Sequence, residues 1–145
     1  MLFKDLGTDE DYTAWTYTNN VTISRASETT ITQTDTASMA NMFQTLSVTD
    51  GFCVEFDVQA TYYNSFTLVN FRQGSSGKLN LGASYLCGDS EWHHLKICVN
   101  GLNVTVSRDG VDLTPQTLSA SINRIYLQVG NAAIVQYKNF MIYQG

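Results

Sequence analysis

An all-β chain folded as a two-sheet antiparallel β-sandwich is predicted by three observations. Apolar residues recur at every second position, over runs of roughly four to eight residues. Turn signals (Asn-Gly, Asp-Gly, Gly-Ser-Ser-Gly) separate those runs at short intervals. No segment pairs helical spacing with good flanking caps. Ten to twelve short strands, roughly, follow from this pattern, and they suit a sandwich or jelly roll better than any helical architecture. A chain of 145 residues with no internal repeat or linker reads as one domain, residues 1–145, long enough to bury about two-thirds of its unfolded surface.

Residues 2–6 alternate weakly and predict a short opening strand. Asp9-Glu10-Asp11 is an acidic turn, Tyr12, Trp15 and Tyr17 add aromatic bulk, and Asn19-Asn20 marks another turn. Residues 21–24 and 29–32 read as two short strands. Residues 39–46 could space Met39, Met42, Phe43 and Leu46 helically, but the flanks lack caps and a strand is expected. Asp50-Gly51 opens a strong strand over 52–58. Phe52, Val54, Phe56 and Val58 should face the core there, with Cys53, Glu55, Asp57 and Gln59 opposite. A strand over 66–72, a loop over 74–77 and a short strand carrying Leu79, Leu81 and Ala83 follow. Residues 92–110 are the clearest stretch. Leu95, Ile97 and Val99 alternate with His94, Lys96 and Cys98; Asn100-Gly101 supplies residues tolerant of positive φ; Val104 and Val106 resume the alternation before Asp109-Gly110. Pro115 lies in a loop. Along 122–129, Ile125, Leu127 and Val129 alternate with Arg124, Tyr126 and Gln128, and 134–143 closes the chain as one or two strands.

Composition removes several functions. Charged residues make up 14% of the chain, against about 25% in typical soluble domains, so Thr, Ser, Asn and Gln cover much of the surface. Net charge is −5, and no Lys/Arg run offers the basic patch that nucleic-acid binding needs. No run approaches the roughly 18 apolar residues of a membrane span, which argues against membrane insertion. Met1-Leu2-Phe3-Lys4-Asp5 lacks the basic and apolar regions of an export signal, so a mature fragment, an excised module of something longer or a protein never exported by this route is expected. Cys53, Cys87 and Cys98 are an odd set. Cys53 and Cys98 share the outward parity, and either a cross-strand disulfide or two buried thiols fits them. The sequons at Asn20 and Asn103 matter only in a glycosylating pathway. His93 and His94, being adjacent, point to opposite faces and cannot chelate one metal as strand neighbours.

The order Phe-x-Val-x-Phe-x-Val from Phe52, Trp92-His93, Val99-x-Gly101, Val104-x-Val106 and Asp109-Gly110 resembles the concanavalin A-like lectin/glucanase superfamily. Laminin-G-like modules, pentraxins and many carbohydrate-binding modules share that layout. The resemblance is best over 52–110. It extends loosely through Ile125 and Leu127 to 138–143, and to the opening Leu2-Phe3-Lys4-Asp5 with Trp15. It implies a concanavalin A-like jelly roll of the kind that recurs in phage receptor-binding proteins and microbial adhesins. It is a poor guide to function. It also implies that Trp92 packs at a sheet edge and that Trp92 and His93 are structural.

Glucanase members of that superfamily carry Glu-x-Asp-x-x-Glu on one strand, because retaining hydrolysis needs one carboxyl to attack and another to shuttle the proton. Here Glu55 and Asp57 keep the alternation, but the third position is Ala60, which argues against catalysis. No nucleophile elbow, phosphate loop or dinucleotide fingerprint is present. Binding is the better reading, since sugars are held by aromatic faces and planar polar groups. Candidate ligand-binding residues are Glu55, Asp57, Gln59, His94 and Lys96 on the outward parity, with Tyr62, Tyr63, Arg72 and Tyr85 at strand ends or loops. Asp9, Glu10 and Asp11 could hold a structural calcium ion; no other cofactor is expected. The sequence therefore predicts a non-catalytic, lectin-like module that attaches to cell-surface glycan, as in a phage tail fibre or a microbial adhesin, placed extracellularly, on a cell surface or on a virion. The alternative is a structural or homo-oligomerising sandwich of a larger surface or virion protein. A minimal glycoside hydrolase ranks third.

Overall fold

The structure, a computed structural model, describes residues 3–5, 16–17, 21–24, 30–34, 40–45, 51–61, 66–130 and 133–144. Strands β1 (Phe3–Asp5), β2 (Thr16–Tyr17), β3 (Val21–Ser24), β4 (Thr30–Thr34) and β5 (Ala40–Thr45) form the first part of the chain. The better-patterned remainder supplies β6 (Phe52–Ala60), β7 (Thr67–Gln73), β8 (Ser76–Gly82), β9 (His93–Asn100), β10 (Asn103–Arg108), β11 (Val111–Asp112), β12 (Gln116–Thr117), β13 (Arg124–Val129) and β14 (Ile134–Gln144). All described pairings are antiparallel. One sheet of nine strands runs β11-β10-β9-β6-β14-β4-β3, with β1 also on β14 and β12 on β10; a second runs β2-β5-β13-β7-β8. The acidic turn at Asp9, Glu10 and Asp11, the aromatics Tyr12 and Trp15, and the candidates Tyr62 and Tyr63 lie outside the described residues.

Strand alternation decides the packing. Phe52, Val54, Phe56, Val58 and Ala60 of β6 are all wholly buried, as are Leu95, Ile97 and Val99 of β9 and Ile125, Leu127 and Val129 of β13. Each Val, Leu, Ile or Phe among them contributes about 1.5–3 kcal/mol by leaving water. The two sheets meet through these rows: the ring of Phe52 sits edge-on to that of Phe71 on β7 at 6.4 Å. Phe56 stacks against Phe140 of β14 at 5.2 Å. The result is a two-sheet antiparallel β-sandwich, as expected.

Three local expectations are corrected. The segment after Leu81 is not strand to Ala83: Ala83–Leu86 forms a single helical turn, α1, so the chain does contain a helix, whose Ala83 and Leu86 side chains are buried. Arg108 holds its end, donating from Nη1 to the carbonyls of Tyr85 at 3.1 Å and Leu86 at 3.3 Å, which would otherwise lack partners. The expected loop over 74–77 shrinks to the two residues between the paired Gln73 and Ser76. The β9–β10 turn is Gly101-Leu102, because Asn100 pairs with Asn103; only Gly101 has positive φ (61°), which removes Asn100 from the turn. By contrast Asp109 and Gly110 both take positive φ (52° and 82°) between paired Arg108 and Val111, the geometry of a two-residue I′ hairpin.

Candidate functional site

The outer face of the nine-stranded sheet is assembled by register. β6 pairs with β9 so that Cys53 opposes Cys98, Glu55 opposes Lys96 and Asp57 opposes His94. These residues all have the outward parity. Cys53 and Cys98 form a disulfide across the two strands, with Cα atoms 4.0 Å apart; Cys87 is free and buried. On the other side of β6, β14 would continue with Phe140 and Ile142 outward, but a bulge between Lys138 and Met141, with Asn139 at φ 56°, shifts the alternation. Phe140 and Ile142 turn into the core and Tyr143 joins the outer face.

His94 sits between two carboxylates. Its Nδ1 is 2.8 Å from Asp57 Oδ1 and its Nε2 is 2.8 Å from Glu55 Oε1. Both ring nitrogens can donate only in the imidazolium form. Burial works against that charge, but the hydrogen bonds to Glu55 and Asp57 and their negative charges outweigh it and raise the pKa above its ordinary 6.5. Glu55 responds in the opposite sense. Burial alone would raise it, yet donation from Tyr143 and His94, with the charges of His94 and Lys96, holds it below its usual value. Tyr143 donates to Glu55 Oε2, and burial together with that bond pushes its own hydroxyl up to about 12. Asn139 donates from Nδ2 to Asp57 Oδ2 at 2.7 Å. Both carboxylates are thus fixed by protein donors at each oxygen. A carboxylate offers about four acceptor positions, so each retains room for a hydroxyl donor from outside.

Trp92 lies at the edge of this network. It shares parity with His94 and Lys96, is 37% exposed, and carries the Lys138 ammonium 4.6 Å from its ring centroid. Lys138 is the β14 neighbour of Asp57, so the indole reaches across β6. The resemblance implied a packed edge residue; the ring is instead a partly open aromatic surface beside the carboxylates. Gln59 donates from Nε2 to the Ser90 carbonyl at 3.2 Å, which ties residues 87–92 to this face. Lys96, exposed, lines a groove of about 290 Å³ along β9 and β10, which adjoins a second of about 470 Å³ at Cys98 and Thr105.

His93 belongs to a separate, structural clamp. Its Nδ1 meets Asp109 Oδ2 at 2.6 Å and its Nε2 meets Asp89 Oδ1 at 2.5 Å. Asp109 Oδ1 also accepts from the His94 backbone N–H at 2.9 Å. The clamp fixes the start of β9, and with it His94.

Of the candidates read from sequence, Glu55, Asp57, Gln59, His94 and Lys96 come together on one face. Arg72 does not: it stands on β7, in the other sheet. Tyr85, in α1, donates its hydroxyl to the Thr114 carbonyl and braces that segment. Sequence reasoning missed Tyr143 and Asn139, which only the bulge brings in, and the openness of Trp92, for which its shared parity with His94 was the available signal. Among the described residues no group of three or more His, Cys, Asp or Glu is placed to hold a metal ion, and no helix is long and apolar enough to cross a membrane.

No protein-family model matches the sequence, and no curated protein does. Solved structures share the fold. A presumed glycosyl hydrolase from Parabacteroides distasonis aligns over 100% of both chains at 12% identity and a TM-score of 0.73. A Bacillus subtilis protein of unknown function with a galectin-like fold aligns over 99% of this chain and 95% of its own, at 11% identity and a TM-score of 0.62. The binding domain of botulinum neurotoxin DC, in complex with SialylT, aligns over 90% of this chain and 42% of its own, at 11% identity and a TM-score of 0.61. At these identities the likeness is one of fold.

Proposed function

We propose that the protein is a non-catalytic, lectin-like module that binds glycan on the outer face of the nine-stranded sheet. The observation that carries this reading is the exposed indole of Trp92 set beside two carboxylates already oriented by His94, Tyr143 and Asn139. An aromatic face takes the apolar C–H patch of a sugar ring, and fixed acceptors take its hydroxyls without loss of side-chain freedom on binding. The likeness to a galectin-like fold and to a toxin binding domain supports the same class of function.

Hydrolysis fits less well. A retaining hydrolase sets two carboxyl groups about 5 Å apart around the scissile bond and keeps one protonated. Here the His94 ring fills the space between Glu55 and Asp57, and Glu55 is held ionised. Ala60 is 0% exposed, so its position faces the core and not the site. The cross-strand disulfide fits an oxidising compartment, and with the uncharged polar surface it suits an extracellular attachment protein such as a phage tail fibre or an adhesin.

A glycan array probed with the labelled protein and with Trp92→Ala tests the proposal. Binding to a defined set of glycans, lost by tenfold or more in the variant while its melting curve is unchanged, is the expected result. An array with no glycan retained by the native protein would overturn it.

A further inference from the structure

The outer face of the other sheet carries a different chemistry. β13 pairs with β7 so that Arg124 stands directly opposite Arg72, and Tyr126 opposite Asn70. Facing residues in such a ladder have Cβ atoms roughly 4.5–5.5 Å apart, and like charges so placed repel. A chain with net charge −5 and 13 acidic residues has carboxylates to neutralise this pair. Yet the ion pairs seen among the described residues involve neither arginine.

Both guanidinium groups are instead positioned by rings. Arg72 lies over Tyr126 at 4.2 Å and Arg124 over Phe43 at 4.8 Å. The two rings stack at 4.6 Å, and Arg124 donates from Nη1 to the Tyr126 hydroxyl at 3.2 Å. This stack orders the arginines without neutralising them. Arg72 Nε is buried and has no hydrogen-bond partner among the described residues. In the adjacent row Asn70, only 5% exposed, donates to Gln128 Oε1 at 3.3 Å, and its own Oδ1 has no partner among the described residues. Two ordered, part-buried forks that face each other without a carboxylate partner among the described residues can still take an acidic group. A planar carboxylate matches a guanidinium fork in two parallel bonds.

We infer that Arg72 and Arg124 form a second ligand site, specific for the carboxylate of an acidic saccharide. The inference rests on the glycan-binding reading only for the kind of molecule that carries the carboxylate. The two sites lie on opposite faces of the sandwich and take different ligands: uncharged hydroxyl-bearing rings at Trp92, carboxylated sugars at the arginines.

The test is calorimetric titration with a uronic-acid oligosaccharide, its carboxyl-reduced neutral counterpart and a glutamate-rich peptide. The native protein is compared with Arg72→Gln, Arg124→Gln and the conservative Arg72→Lys. The acidic oligosaccharide should bind at least tenfold more tightly than its neutral form, weaken as salt rises, and lose tenfold or more in each Gln variant. Arg72→Lys, which keeps charge but not the fork, should recover part of that loss. Melting curves of the Gln variants should match or exceed the native one, because the repulsion between facing cations is gone. Equal affinity for the acidic and neutral forms, or unchanged affinity in both Gln variants, overturns this site and leaves the Trp92 site standing. Tighter binding of the peptide overturns the assignment to a saccharide. No binding of either oligosaccharide overturns this site, and with the native protein also silent on the array it overturns both readings.

Discussion

Removing the Cys53–Cys98 bridge should destabilise the protein by an amount that follows from its place in the chain. The disulfide joins residues 45 apart in sequence. The chain-entropy relation for a loop of that length gives about 13 cal/mol/K, or about 4 kcal/mol at 25 °C, lost from the unfolded state on cross-linking. At about 2–4 °C per kcal/mol for a chain of this size, Cys53→Ala/Cys98→Ala should melt about 8–16 °C below the oxidised protein. The bridge lies between β6 and β9, the strands that carry Glu55, Asp57 and His94, so the same variant should bind glycan less tightly near its own melting range. Circular dichroism melts and urea titrations of the two proteins measure the difference. Thiol titration of the unfolded, non-reduced native protein should find one reactive group, that of Cys87. Superimposable melts, or three titratable thiols, would exclude a stabilising Cys53–Cys98 bridge.

Stability should also peak in a pH window set by the histidine–carboxylate contacts. The folded pKa values of His93 and His94 are raised above 6.5. Their contribution is therefore complete below pH 6.5 and is lost as pH rises through the raised values. Glu55, lowered from 4.5, contributes fully above that pH and loses its share as pH falls through the lowered value. His94→Gln should flatten the alkaline limb of a plot of unfolding free energy against pH; an unchanged limb contradicts the bridge. Burial pushes the Cys87 thiol up to about 12, so iodoacetamide at pH 8 should label it only at the rate of unfolding, and labelling in seconds would count against its placement. Phe56→Ala should cost about 3–5 kcal/mol in urea titration, since its ring is wholly buried between the sheets; a loss below 1 kcal/mol is inconsistent with that packing.

Strand alternation made much of the carboxylate face legible before the structure. A period of two sends Glu55, Asp57 and Gln59 to one side of β6 and His94 and Lys96 to one side of β9 whatever the partners are. Register and sheet membership are another matter. Consecutive strands β6 and β7 belong to different sheets, so Arg72, close to Glu55 in sequence, ends on the opposite face. Arg72 and Arg124 meet only because β13 lies between β5 and β7, an order that no local pattern encodes. The bulge at Asn139 reverses parity along β14 and recruits Tyr143, which plain alternation would have placed in the core. The Gly101-Leu102 turn differs from the Asn-Gly signal for a related reason: pairing of Asn100 with Asn103 moves the turn by one residue.

On the proposed function, glycan binds where Trp92 overlooks Glu55 and Asp57. The direct measurement is an NMR titration of ¹⁵N-labelled protein with a neutral glycan retained on the array, following the Trp92 indole N–H and the backbone amides of β6, β9 and β14. Saturable shifts centred on Trp92, His94, Lys96 and Asp57 are expected, with the amides of β7 and β13 unmoved. Shifts confined to β7 and β13, or none with millimolar glycan, would contradict it.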